Sequence, residues 1–159
     1  HYKQTIITGY PPFIKDILDN ALEEKINIKK IDLRFVFTGE AFTEEFRDYI
    51  LSKTKIQNVF LDTMNTYGTS EFGATAVETP LTIMARRLAY KNKNIFKELF
   101  GNITKTPTLA QYIPYFVNFE CVNGELFLTG DGPIPLVKYQ SGDNGGILTF
   151  SQIKTPGST

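Results

Sequence analysis

Ile31-Asp32-Leu33-Arg34-Phe35-Val36-Phe37-Thr38-Gly39 is short, rich in branched and aromatic residues and closed by a glycine. That is the pattern of a strand delivering the chain to a tight turn. Thr43 follows as an N-cap, Glu44 and Glu45 are placed to meet the positive end of a helix dipole, and Phe46, Tyr49 and Ile50 are spaced as its buried stripe. Val59 to Leu61 then predicts a second strand, which ends in the polar stretch Asp62 to Glu71. Strand, helix, strand at this spacing is one βαβ unit, with parallel strands and a right-handed crossover. Ligands of such sheets gather beyond the carboxyl ends of the strands, so the turns beginning at Gly39 and Tyr67 are expected to face one crevice.

Working outward, Pro11 and Pro12 suit a first helical turn, and Phe13, Ile14, Ile17, Leu18, Ala21 and Leu22 recur at three- and four-residue spacing to about Lys25. Downstream, Leu81, Met84, Ala85 and Leu88 mark a helix from Pro80 to about Tyr90, with a further one around Ile95 to Phe100. After Pro107 the pattern changes to strands. Tyr115 to Val122 and Glu125 to Thr129 flank Asn123-Gly124, a type I′ hairpin signal, and Leu136 to Tyr139 and Gly146 to Phe150 complete the set. The expected fold class is α/β: a parallel, Rossmann-like βαβ layer with helices over residues 1–111, then a small antiparallel β-sheet or partial barrel over 112–150. Residues 151–159, ending Thr155-Pro156-Gly157-Ser158-Thr159, are expected to form a flexible tail.

The 159 residues, 42% hydrophobic and 13% aromatic, suffice for about one domain with its own core. Seventeen basic residues balance seventeen acidic ones, so the electrostatic footprint of a nucleic-acid binder is missing. Apolar runs fall far short of the ~20 residues a membrane span requires. Cys121 is the single cysteine, which excludes a disulfide framework and makes a cytoplasmic location the expectation. It is expected to be a buried apolar strand residue, since His1 is the only histidine that could activate it. The chain opens without Met and runs directly into Thr5-Ile6-Ile7-Thr8, as a segment excised from a longer protein would.

Three clusters combine a backbone-permissive glycine with a carboxylate: Gly39-Glu40, Tyr67-Gly68-Thr69-Ser70-Glu71, and Tyr139-Gln140-Ser141-Gly142-Asp143. Together they suit a nucleotide, because a ring can stack on a base, hydroxyls can meet phosphate, and carboxylates can take a cation or a ribose diol. Singly, each is also an ordinary turn. Arg86 and Arg87 are expected at a solvated helix edge.

The order Gly39-Glu40-Ala41, Tyr67-Gly68-Thr69-Ser70-Glu71, Pro135-Leu136-Val137-Lys138-Tyr139-Gln140-Ser141-Gly142-Asp143 resembles the adenylate-forming enzymes, and among them the phenylacetate–coenzyme A ligase-like branch. That branch reads Gly-Glu-Pro, Tyr-Gly-x-Thr-Glu and Pro-Leu-x-Arg-Tyr-x-Thr-Gly-Asp. Thr8-Gly9-Tyr10-Pro11-Pro12 also resembles its strand-to-helix transition, so the likeness spans roughly residues 5–150. The resemblance implies that Gly39, Glu40 and Ala41 line an adenine pocket and that Tyr67 lies against the base. Gly68 and Thr69 continue the nucleotide loop, Ser70 stands where a threonine hydroxyl meets the α-phosphate, Glu71 is the Mg²⁺ ligand, and Asp143 grips the ribose. Lys138 replaces an arginine, exchanging a bidentate fork for a point charge. Thr129-Gly130-Asp131-Gly132 spells the Thr-Gly-Asp core in the wrong context, after Gly-Glu-Leu, and is read as a turn.

The implied parent reaction joins a small carboxylic acid, an aromatic one being compatible with thirteen Phe and eight Tyr, to ATP and then to coenzyme A. The family's phosphate loop and its C-terminal lysine domain have no counterpart in these residues, so the segment is expected to be inactive alone. A non-catalytic nucleotide or small-molecule binder, such as a resistance or capsule-related relative, and an acyl-protein synthetase stay open. Phe72 to Pro80 would shape the acyl pocket, and Thr79 to Pro114 is where the chain departs most from the family pattern.

Overall fold

The computed structural model describes residues 3–132 and 134–154. Strand β1 (Thr5–Gly9) leads through helix α1 (Pro11–Glu23) to β2 (Leu33–Phe37), and helices α2 (Glu44–Lys53) and α3 (Val59–Asp62) lead on to β3 (Thr63–Thr69). All three strands are parallel, with Thr8 opposite Val36 and Phe37 opposite Asn65. The chain then reverses: β4 (Gly73–Val77) is antiparallel to β3, and β5 (Gln111–Tyr112) is antiparallel to β4, with helices α4 (Pro80–Lys91) and α5 (Lys93–Phe100) between them in sequence. The result is a mixed five-stranded sheet in the order β1-β2-β3-β4-β5. Strands β6 (Val117–Val122), β7 (Glu125–Asp131) and β8 (Pro135–Asn144) make a separate three-stranded antiparallel sheet, open rather than a partial barrel. Its first turn is the expected type I′, with φ of 54° at Asn123 and 86° at Gly124.

Several elements differ from the sequence expectation. Val59 to Leu61 is helical, because the Asn58 side chain accepts from the Phe60 amide at 3.2 Å and its carbonyl accepts from Asp62 at 2.9 Å. The strand begins only at Thr63 and takes in most of the stretch expected to be loop. Gly146 to Phe150 is no strand: Leu148 and Ile153 pack on the α4–α5 cluster, and helix α6 (Phe150–Lys154) occupies the start of the expected tail. The rest of that tail, 155–159, lies outside the described residues, as do His1 and Tyr2. In α1 the core takes Pro11, Ile14 and Leu18, leaving Phe13 and Ile17 on an exposed neighbouring stripe. Cys121 is exposed, since it follows the inward Val117 and Phe119 to the hairpin end, beyond the packed seam. No helix among the described residues is long and apolar enough to cross a membrane.

Helix α2 departs furthest from expectation. Thr43 caps it as read, accepting from the Phe46 amide at 3.3 Å, yet the buried positions are Glu44, Arg47 and Ile50, with Phe46 and Tyr49 only partly covered. The two charges are tolerated because partners from other elements meet them. Arg47 Nε lies 3.0 Å from Glu44, and its Nη2 lies 2.8 Å from Glu78. Arg86 Nη1 reaches Glu44 at 3.0 Å and Glu78 at 3.3 Å. All four side chains are wholly inaccessible. Arg86 is therefore a core residue rather than a solvated edge, and Arg87, 18% exposed, closes the cluster through Glu44 at 3.0 Å and Asp48 at 2.8 Å. The remaining polar capacity is used as well: Arg47 donates to Thr63 Oγ1 at 2.8 Å, Glu78 accepts from the Asn65 amide at 2.8 Å, and Arg86 donates to the carbonyls of Pro107 and Phe42. Burial pulls the Arg86 guanidinium below its ordinary value, while the two carboxylates hold it up.

Candidate functional site

The Tyr67-Gly68-Thr69-Ser70-Glu71 motif is the end of one strand and the start of a hairpin turn. Tyr67 to Thr69 belong to β3, Ser70 and Glu71 sit exposed in the turn, and the Phe72 amide donates to Thr69 Oγ1 at 3.3 Å. The ladder slips between Tyr67 and Gly68, bringing β4 so close that a Cβ on Gly68 would stand 1.9 Å from the Gly73 carbonyl oxygen. Gly68 is thus required by packing whatever it binds. Gly68→Ala is expected to cost about 1–3 kcal/mol through overpacking against backbone, read as a fall in the urea midpoint.

Tyr67 points from this hairpin into the seam between the two sheets. Its ring lies 6.0 Å from that of Phe119, beside the cluster of Val117, Phe119, Leu126 and Leu128. Its hydroxyl donates to Asp143 Oδ2 at 2.6 Å and sits 3.5 Å from Ser141 Oγ. The β7–β8 register shifts between Gln140 and Asn144, and within that irregular stretch Ser141 and Asp143 both meet the Tyr67 hydroxyl, the Ser141 hydroxyl also accepting from the Asp143 amide at 3.2 Å. The Tyr139 ring stands 6.0 Å from that of Phe72. Two of the expected site residues, Tyr67 and Asp143, 76 positions apart, are thereby in direct contact.

The Gly39-Glu40-Ala41 turn lies at the end of the neighbouring strand. Gly39 has φ of 87°, a left-handed value that favours glycine, and the Tyr10 ring is the nearest group to it. Glu40 accepts a hydrogen bond from Tyr10, and Ala41 is exposed. Phe42, the next residue, anchors the turn from below: its ring lies 4.9 Å from the Arg47 guanidinium and 5.1 Å from that of Arg86, which also holds its carbonyl. Asp131 closes the opposite end of the β7–β8 ladder, opposite Pro135, whereas the Asp143 end pairs Asn144 with Glu125. Six residues of strand put the two ends about 20 Å apart. Lys138, with φ of 51°, turns outward to Glu120 at 3.3 Å.

Sequence reasoning passed over Tyr10, Tyr139 and Asn65 as site residues. Asn65 shares the Thr63 and Tyr67 face of β3, is 1% exposed, and has a side-chain carbonyl without a hydrogen-bond partner among the described residues. A shallow open depression of about 510 Å³ lies at the other end of β2, lined by Lys30, Asp32, Arg34, Lys55 and Asp62, with Arg34 paired to both aspartates at 3.1 Å.

Electrostatics separates the two tyrosine–carboxylate pairs. The Tyr67 phenol is pushed up to about 12, chiefly by burial and then by Asp143, whereas Glu71 is held below its ordinary value by Tyr139 and turn hydrogen bonds and is ionised at neutral pH. A raised acid keeps its stabilising contribution below its unfolded value near 10 and loses it as pH climbs toward 12. In an ultraviolet titration of tyrosinate, a transition near pH 12 is therefore expected, and Tyr67→Phe removes it. Among the described residues no group of three or more His, Cys, Asp or Glu side chains could hold a metal. Glu71, a lone ionised and exposed carboxylate, suits Mg²⁺ arriving on a triphosphate, which takes one or two protein carboxylates and keeps its phosphate and water ligands.

No family model matches the chain, and no curated protein matches it significantly.

Proposed function

We propose that the chain is the adenosine-binding segment of an ATP-dependent, carboxylate-activating enzyme related to the phenylacetate–coenzyme A ligase-like branch. The observation that carries this reading is the 2.6 Å bond between Tyr67 and Asp143. Two motifs far apart in sequence, to which the resemblance gives the base and the ribose of one nucleotide, meet at a single point. In the parent reaction a carboxylate attacks the α-phosphorus of ATP, pyrophosphate leaves, and the thiolate of coenzyme A then displaces AMP from the acyl-adenylate. In the Rossmann-like layer that this reading makes of the mixed sheet, Gly39, Glu40 and Ala41 border the adenine and the Tyr67 ring lies against it. Ser70 donates its hydroxyl to the α-phosphate, Glu71 faces the Mg²⁺ carried by ATP, and Asp143 accepts from both ribose hydroxyls. Gly68 and Thr69 continue the nucleotide loop toward the phosphates, as the resemblance implies.

This assignment supplies binding and orientation, and only part of the phosphoryl charge neutralisation that adenylation needs. The segment by itself is accordingly a binder, and the acid substrate, coenzyme A and the cytoplasmic setting belong to the parent. Calorimetric titration of the 159-residue chain tests the reading. One-to-one heat is expected with AMP and with Mg-ATP, and none with inorganic phosphate; a folded chain that takes up neither nucleotide overturns it.

A further inference from the structure

Strand β7 sends alternate side chains into the seam between the sheets. Leu126 and Leu128 are buried there, and the next position of that row is Gly130, which has no side chain to offer. Thr129-Gly130-Asp131 is therefore strand rather than the turn expected from the sequence. The ring of Phe72, from the β3–β4 turn, takes the space: a Cβ on Gly130 would stand 2.7 Å from Phe72 Cε1, 3.2 Å from its Cδ1 and 3.0 Å from the Phe116 carbonyl oxygen. The same ring packs on the buried cluster of Val117, Phe119, Leu126 and Leu128. The φ of Gly130 lies outside the left-handed region, so what this position requires is room rather than backbone freedom.

That contact governs where the turn stands. The β3–β4 ladder closes it from one side, with Thr69 opposite Gly73 and the Phe72 amide on Thr69 Oγ1 at 3.3 Å. Ser70 and Glu71 at its tip are exposed, and Phe72 is the turn residue that grips the three-stranded sheet, the sheet that carries Asp143. We propose that Gly130 is a positioning residue for the phosphate end of the site: by leaving room for Phe72 it fixes Ser70 and Glu71 relative to Asp143. The proposal rests on the adenosine-binding reading above and adds to it a role for the glycine of Thr129-Gly130-Asp131, separate from its aspartate. A hydrogen bond stretched from about 2.9 Å to about 3.6 Å is lost, so a shift of the turn by less than about 1 Å suffices to uncouple it from a phosphate. The rival account is that Gly130 only lets the sheets pack, in which case crowding it weakens every ligand alike.

Calorimetric affinities for adenosine and for Mg-ATP separate the accounts, measured on the wild-type chain, Gly130→Ala, Phe72→Ala, and Gly130→Ala combined with Phe72→Leu. Loss of one hydrogen bond to a charged group predicts that Gly130→Ala lowers the ratio of Mg-ATP to adenosine affinity by about tenfold. Adenosine affinity itself stays within about twofold of wild type. Phe72→Ala releases the turn without crowding the strand and lowers the same ratio, so it decides the question even where Gly130→Ala does not fold. Phe72→Leu on the Gly130→Ala background withdraws the ring edge from the added methyl and recovers most of the ratio, which a general loss of stability would not do. Equal losses for both ligands, wild-type ratios in Gly130→Ala and Phe72→Ala, or a double variant no better than Gly130→Ala overturn the positioning role while leaving nucleotide binding intact. A wild-type chain that takes up neither adenosine nor Mg-ATP fails at the earlier step and takes the adenosine-binding reading with it.

Discussion

Arg86→Met is expected to lower the unfolding free energy by about 3–5 kcal/mol, the cost of leaving a buried charge without its partner. Arg86 is wholly inaccessible and stands between Glu44 and Glu78, so its removal leaves the buried centre with Arg47 as the one fully inaccessible cation facing two carboxylates. It also removes the donor that the carbonyls of Phe42 and Pro107 share. Methionine fills most of the volume, so the loss reports on charge and hydrogen bonding more than on a cavity. The check is a urea denaturation series with a cycle: Glu78→Gln alone, Arg86→Met alone, and both. Because the double variant restores charge balance, its loss should fall short of the sum of the singles by about 0.5–3 kcal/mol. Simple additivity would mean that the cluster is not electrostatically coupled. The consequence reaches the candidate site, since Arg86 holds the carbonyl of the residue that follows Gly39, Glu40 and Ala41.

The same cluster marks the limit of what could be seen in the sequence. Elements fixed by neighbouring residues were legible: the Thr43 cap, the proline-led start of α1, and the Asn123-Gly124 turn whose two positive φ values select those residues; the strand that pairs parallel with β2 was placed at Val59 to Leu61, four residues short of where β3 begins to pair. Glu44 and Arg47 look like surface residues because the groups that justify their burial lie far along the chain, with Glu78 31 positions beyond Arg47 and Phe42 44 positions before Arg86. Periodicity counts charges as exposed and cannot know that four of them will neutralise one another. Val59 to Leu61 failed for another reason, since three apolar residues fit a helical turn as well as a strand and a side-chain cap at Asn58 decides between them. Of the candidate site, Tyr67 and Asp143 were visible as motif members; their contact needed the two sheets to be packed.

Asp143→Ala should reduce AMP affinity by about 10²- to 10⁴-fold, because a carboxylate facing a vicinal diol makes two charge-assisted hydrogen bonds and each is worth about 1.5–3 kcal/mol. In a ligase that carries the remaining catalytic parts, adenylation should fall by a similar factor, since the ribose is a handle through which the α-phosphate is positioned. The substitution leaves the backbone contacts of the strand in place: Asp143 is exposed, its amide keeps the Ser141 hydroxyl as partner, and the Tyr67 hydroxyl retains Ser141 at 3.5 Å. Asp131→Ala is the control that makes the result specific. It removes the aspartate of the more literal Thr-Gly-Asp sequence, at the opposite end of the β7–β8 ladder, and should leave AMP affinity within about twofold, consistent with a surface change away from the site. Should Asp131→Ala weaken AMP and Asp143→Ala not, the motif assignment is inverted and the ribose would have to sit at the distal hairpin. That outcome would also separate Tyr67 from the nucleotide, because its hydroxyl contacts the Asp143 end of β8 and cannot span six residues of strand to reach the other.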